Sequence, residues 1–101
     1  MATLTIVYWR DIPAQVIAKA GRKTAKRQLP ERFEQAIDRA AMRAKLTGTD
    51  AYLEQWRKSE PQACADDLEA AADTALVELE GTFTSDRLRA HVANGGFTPE
   101  A

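Results

Sequence analysis

The residue types that most often bind metals are sparse in this chain and far apart. Its single cysteine, Cys64, and its single histidine, His91, are separated by 27 positions and lie in different predicted elements. A zinc site takes four Cys or His ligands, or three and a water molecule, so this pair does not form one. We interpret Cys64 as a small residue near a helix start and His91 as a helix-surface residue, and we expect neither metal nor cofactor.

Nucleophilic catalysis has equally few candidates. Ser59 lies in a charged turn and Ser85 at a helix start, and neither has the flanking pattern of a nucleophile elbow. The adjacent carboxylates Asp66 and Asp67 are explained by capping of the following helix. The sequence therefore favours a non-catalytic protein over an enzyme.

The strongest chemical signal is a run of positive charge. Five cations fall within nine residues that contain no acid: Lys19, Arg22, Lys23, Lys26 and Arg27. Blocks of like charge are typical of interaction segments, and this one leads to a helix N-terminus, which also favours anions. We predict that it binds an acidic protein surface, or a carboxylate or phosphate. The alternative is a solvated loop that the acidic remainder of the chain neutralises.

Three residues beside the first predicted turn complete the candidate binding surface: Trp9, Arg10 and Asp11. Tyr8 and Trp9 occupy opposite faces of a strand because side chains alternate. One of them therefore belongs to the core, and the other is exposed or covered by a partner.

Two predicted strands precede the basic run. Thr3–Arg10 reads TLTIVYWR and is rich in β-branched and aromatic residues, which favour a strand. Asp11-Ile12-Pro13 interrupts it, and Ala14–Ala20 forms a second strand closed by Gly21. We predict that Arg22–Gln28 is a connector. An isolated hairpin is marginal in water, so it must rest on helices, another strand or a partner chain.

Two helices are predicted next. Pro30 stands at a first helical position, and Gly48 ends the segment. Between them, apolar residues recur at helical spacing: Phe33, Ile37, Ala40, Ala41 and Leu46. A shorter helix begins at Thr49 or Asp50 and ends before Glu60-Pro61. Its apolar stripe consists of Tyr52, Leu53 and Trp56.

A third helix is capped by Asp66 or Asp67 and ends at Gly81. Leu76–Ser85 also alternates in a way that suits an edge strand completing a three-stranded sheet. The alanine content favours the helix.

The last helix carries the clearest capping signal. Phe83 precedes the cap Thr84 and Leu88 follows it, which matches a hydrophobic staple. The helix runs to about Val92 and ends at Asn94-Gly95-Gly96. The elements together predict an α+β fold, with an N-terminal β-hairpin packed on three to four short helices.

Length and charge describe the whole chain. Its 101 residues suit a single domain, which we place at residues 1–96, followed by a flexible tail at 97–101. The net charge of −1 conceals two unlike halves. Residues 1–48 carry ten Lys/Arg against four Asp/Glu, or +6, whereas residues 49–101 carry four against eleven, or −7. Such asymmetry bears on partners rather than on fold.

The longest apolar runs span about four residues, against the roughly 20 that a membrane helix needs. The N-terminus does not read as a secretion signal, and one cysteine fits a reducing compartment. We therefore expect a cytoplasmic protein without membrane association. Nucleic acid is disfavoured as a partner because the acidic half would repel it.

The segment IVYWRDIPAQV at residues 6–16 resembles the bacterial virulence factor domain family. The resemblance continues through Lys19–Arg22, Leu29–Phe33 and Ile37–Met42. It implies a small stand-alone bacterial protein of a kind often encoded beside folate-linked and corrinoid methyl-transfer enzymes. It supplies no catalytic residues.

We therefore expect a non-catalytic accessory module that binds an acidic partner protein, with a methyl-transfer enzyme as the partner that the resemblance implies. The alternative is a binding protein or enzyme subunit for an anionic small molecule, such as a folate or a phosphorylated cofactor. Pairing of two copies into a homodimer is a further expectation.

Overall fold

The computed structural model describes residues 2–99. Within them the chain forms five strands and four helices, and the predicted α+β class is confirmed. In chain order these are β1 (Thr3–Trp9), β2 (Ile12–Ala20), β3 (Lys23–Gln28), α1 (Glu31–Arg43), α2 (Asp50–Glu54), β4 (Trp56–Lys58), β5 (Gln62–Ala63), α3 (Leu68–Thr82) and α4 (Ser85–Ala93).

The strands form one antiparallel sheet in the order β3-β2-β1-β4, and β5 also pairs with β1. The predicted first hairpin is present, but its turn is Arg10-Asp11 rather than Asp11-Ile12-Pro13. Pro13 lies within β2, opposite Tyr8 and beside a register shift between Val7 and Tyr8. Proline is tolerated where the ladder is irregular, because no regular hydrogen bond is lost there.

The predicted connector at Arg22–Gln28 is wrong, because Lys23–Gln28 forms β3. It pairs with β2 from Gln15↔Gln28 to Ala20↔Lys23. Its sequence, KTAKRQ, has little β-branched character. The tight turn at Gly21, with φ of +59°, and the burial of Ala25 on the sheet outweigh that weak preference. This third strand is an edge of the sheet.

The helices differ from expectation at three of their C-terminal ends. α1 ends at Arg43, before Leu46 and Gly48, and α3 includes Gly81 and ends at Thr82. α2 ends at Glu54, so Trp56 is not helical but begins β4 opposite Trp9. An open edge of β1 offers Trp56 a ladder partner that local pattern does not reveal. Of the two alternatives for Leu76–Ser85, the helix is confirmed through Thr82 and the edge strand is wrong.

The predicted caps are largely those observed. The side chains of Thr49, Asp67 and Thr84 each accept a hydrogen bond from a first-turn N–H of α2, α3 and α4. Pro30 is the residue before the first helical residue of α1 rather than the first itself.

Two buried clusters make up the core. The first joins the β1–β2 turn to α1 and α4: Trp9, Ile12, Leu29, Phe33, Ala36, Ile37, Ala40, Ala41 and Leu88. The second lies between the sheet and α3: Ala2, Val16, Ala18, Ala25, Leu68, Ala72 and Ala75. The sheet thus packs on α3 through small residues, whereas the large side chains gather at the first turn.

No helix among residues 2–99 is both long and apolar enough to cross a bilayer.

Candidate functional site

Trp9 is a core residue with no exposed surface. Its Nε1 donates to the Tyr52 carbonyl at 3.0 Å, and its ring centroid lies 5.5 Å from that of Tyr52. Gly96 passes so close that a Cβ there would lie 2.7 Å from the indole. Trp9 was predicted as part of a binding surface, and complete burial corrects this, because a partner has no access to its side chain.

Arg10 is the first residue of the turn and has a left-handed backbone, with φ of +53°. Its Nη1 donates to the Gly95 carbonyl at 2.7 Å and its Nε to the Gln55 side chain at 3.1 Å. The guanidinium also lies 4.4 Å from the ring centroid of Phe97. Arg10 is therefore committed to contacts within the protein.

Asp11 is similarly occupied. One carboxylate oxygen accepts from the N–H and hydroxyl of Thr98, at 2.7 and 3.0 Å, and the other pairs with Arg57 at 3.0 Å. Partial burial acts to raise the pKa of Asp11, but the hydrogen bonds from Thr98 and Arg57 outweigh it and lower the pKa below its usual value.

These contacts hold segment 95–98 against the first turn. The sequence predicts partner binding for Trp9, Arg10 and Asp11. In the structure these three residues lie together and bind segment 95–98 of the same chain. Flexibility of the tail stays a prediction, although Phe97 and Thr98 make the contacts just given, and Glu100 and Ala101 lie outside the described residues.

The surface position predicted for His91 is wrong. The residue is 2% exposed, its Nδ1 donates to the Arg87 carbonyl at 2.8 Å, and its ring lies 5.3 Å from that of Phe83. The cost of burying His91 is reduced because one ring nitrogen makes a hydrogen bond and the ring packs at a tilt against Phe83. Cys64 instead packs beside the second cluster, away from these contacts.

Alternation along β3 divides the basic run into two faces. Ala25 pairs with Ala18 and lies under α3, so Lys23 and Arg27, two positions to either side, share its face. Arg27 pairs with Asp73 at 2.8 Å and lies 3.9 Å from Glu69, both on α3. The alternative of neutralisation by the acidic half thus applies to Arg27.

The opposite face of the sheet carries the other lysines. Lys26 pairs with Ile17 and so shares its face, and Lys19 lies two positions along β2 from Ile17. Lys58 of β4 joins them, since it pairs with Val7, which in turn pairs with Gln15. We call this the open sheet face: Thr3, Thr5, Val7, Gln15, Ile17, Lys19, Thr24, Lys26, Gln28 and Lys58.

Every side chain of the open sheet face keeps exposed surface, and none is a carboxylate. Among residues 2–99 the three lysines take part in none of the ion pairs. Lys19 and Lys26 are diagonal neighbours on adjacent strands, about 7–8 Å apart at the backbone. Arg22 is exposed at the tip of the β2–β3 turn.

The structure therefore brings Lys19 and Lys26 together and sets them apart from Arg27. Sequence reasoning missed Lys58 because only pairing of β4 with β1 places it on this face, and no local signal reports that pairing. Chemically, the face offers primary ammonium groups over a partly apolar floor of Val7 and Ile17. It can attract and hold carboxylates.

Comparison with protein families shows that the virulence factor family model matches residues 7–92. The chain belongs to the virulence factor family. The matched region includes the first turn, the β2–β3 hairpin and all three lysines of the open sheet face. Comparison with curated proteins gave no match, and comparison with solved structures gave none either.

Proposed function

We propose that this member of the virulence factor family is a non-catalytic accessory module that binds an acidic partner protein through its open sheet face. The observation that supports the proposal most strongly is the presence of Lys19, Lys26 and Lys58 on a face without a carboxylate. Arg27 is neutralised by Asp73 of α3, whereas the three lysines take part in none of the ion pairs among residues 2–99.

The edge position of β3 adds to the argument. Lysines on an edge strand discourage two copies of that edge from pairing, because like charges would lie opposite one another. Lys26 lies both on this edge strand and on the open sheet face, where it is exposed to an acidic partner. Charge thus favours a different protein over a second copy of this chain at the β3 edge.

The family resemblance suggests who the partner is. A methyl-transfer enzyme of the bacterial cytoplasm, working with a folate or a corrinoid, is the candidate we put forward. The module would hold or position that enzyme without taking part in its chemistry.

Capture of partners from a native bacterial lysate tests the proposal. Tagged wild-type protein is compared with a Lys19→Glu/Lys26→Glu variant, and bound proteins are identified by mass spectrometry. The matched control is Lys45→Glu/Arg87→Glu, which makes the same charge change at exposed positions away from the open sheet face. We expect one acidic protein to be recovered with the wild type and the control and lost with the first variant.

Equal recovery with both variants would refute the role of the open sheet face. Recovery of nucleic acid instead, or a homodimer that the first variant abolishes, would replace the proposed partner by another.

A further inference from the structure

A second charged surface lies between α1 and α4, away from the lysines. Arg32 donates to the Phe83 carbonyl just before α4, and Arg43 donates to the Ala93 carbonyl at its end. The two helices therefore run side by side in the same direction. A groove of about 240 Å³ separates their outer faces.

The groove has an apolar floor and a basic rim. Ala36 and Leu88 are buried beneath it, and Val92 is half-buried beside them. Three arginines line it, Arg32 and Arg39 from α1 and Arg89 from α4, and none of its lining residues is a carboxylate. Gln35 and Ser85 add neutral hydrogen-bonding groups.

Charges along α1 are segregated rather than paired. Its acids stand at 31, 34 and 38 and its arginines at 32, 39 and 43. Opposite charges three or four positions apart would stabilise the helix, yet none of the ion pairs among residues 2–99 lies within α1. Ion pairing within α1 thus does not account for the arginines on the side that faces α4, which are Arg32, Arg39 and Arg43.

One of the arginines is already held in place. The guanidinium of Arg32 donates to the Phe83 and Glu80 carbonyls and lies 4.6 Å over the ring of Phe33. These contacts fix its position and leave N–H groups free, so little side-chain freedom is lost when it binds an anion. Arg89 pairs with Asp86, but both side chains are largely exposed, so an anionic ligand can replace Asp86 at little cost.

We propose that this groove binds a small organic anion with an apolar body, its phosphate or carboxylate held by the three arginines. The basic rim of the groove suits the charged oxygen group of the ligand, and the apolar floor suits its hydrocarbon body. The volume is below the roughly 300 Å³ at which drug-sized sites begin, which points to a metabolite-sized molecule. This site is independent of the partner surface proposed above.

Titration with phenyl phosphate, followed by the backbone amide signals in two-dimensional NMR, tests the proposal. Inorganic phosphate lacks the apolar body, and benzoate replaces the phosphate by a carboxylate. We expect saturable shifts at Gln35 and Ser85 with phenyl phosphate, and affinity about tenfold weaker with inorganic phosphate. Binding of benzoate would extend the site to carboxylates, and its absence would restrict it to phosphate esters.

Two double variants separate the groove from general charge. Arg39→Gln/Arg89→Gln removes two exposed arginines of the rim, and we expect it to weaken the binding of phenyl phosphate by about tenfold. Arg22→Gln/Arg87→Gln removes the same charge outside the groove lining and should leave the affinity within about twofold. The proposal is overturned if no saturable shift is found, if both phosphates bind equally, or if the two variants weaken binding alike.

Discussion

Replacing Gly96 with alanine is expected to destabilise the protein strongly. The residue has φ of +96°, a left-handed conformation that costs an L-residue about 1–2 kcal/mol. An alanine Cβ would also lie 2.7 Å from Cζ3 of Trp9, which is completely buried and has no room to move aside. Overpacking of this kind costs about 1–3 kcal/mol.

The two costs add to about 2–5 kcal/mol, against a total stability of about 5–15 kcal/mol for a domain of this size. Gly48→Ala is the matched control, because Gly48 has φ of +76° but nothing within 4 Å of the added Cβ. It should lose only the backbone part, about 1–2 kcal/mol. Gly81→Ala, inside α3 and in open space, should gain about 0.5–1 kcal/mol.

Urea unfolding measured by far-UV circular dichroism gives the three values on one scale, provided that the slope against denaturant stays constant. The difference between Gly96→Ala and Gly48→Ala isolates the contacts of the added Cβ with Trp9 and Arg10. A difference below about 0.5 kcal/mol would refute the reasoning that segment 95–98 is packed on the first turn.

Three further predictions concern the charged contacts. Arg10→Ala should lower the free energy of unfolding by about 2–3 kcal/mol in urea, through loss of the Gly95 and Phe97 contacts. Arg10→Gly should cost about 1 kcal/mol less because it relieves the left-handed backbone, and an equal or larger loss would show that no strain is present. The pKa of Asp11 is lowered on folding, so its contribution to the free energy of unfolding is complete above its ordinary pKa and is lost as pH falls through the folded value. When the free energy of unfolding is measured from pH 7 to 2, Asp11→Asn should therefore lose less stability in acid than the wild type does. Identical pH curves would contradict this. Arg27→Ala should lower the free energy of unfolding by less than about 1 kcal/mol, and by less at high salt, because the ion pairs of Arg27 with α3 are partly exposed. A loss above about 2 kcal/mol that does not depend on salt would disprove that account.

Local signals predicted the parts of the fold that local interactions determine. The staple of Phe83, Thr84 and Leu88 correctly located the start of α4, because cap and apolar contact lie within one turn of helix. The stripe from Phe33 to Ala41 likewise identified the buried side of α1. Elements of this kind can be predicted from their own residues alone.

The misplaced elements depend on distant partners. β3 forms because β2 offers it a ladder and α3 covers Ala25, and neither fact is visible in KTAKRQ. Trp56 leaves its predicted helix because the edge of β1 is 47 positions away in sequence but adjacent in space. His91 is buried and packs against Phe83, which a helical wheel of α4 alone does not include.

The candidate site was predicted in the same uneven way. Composition identified the basic run, but only strand alternation separates Lys19 and Lys26 from Arg27. Partner binding by Arg10 and Asp11 stays a prediction for the first turn. Its unusual residues suggested binding, whereas in the structure the polar groups of Arg10 and Asp11 make hydrogen bonds to segment 95–98.

The affinity of the captured partner for the module is the most direct test of the central claim, that the open sheet face binds an acidic protein. Isothermal titration calorimetry would compare wild type with Lys19→Glu/Lys26→Glu and with the control Lys45→Glu/Arg87→Glu, at low salt and above roughly 0.15 M salt. We predict a loss of about tenfold or more for the first variant, less than about twofold for the control, and weaker wild-type binding at high salt. Equal losses in both variants, or an affinity that salt does not change, would contradict the claim.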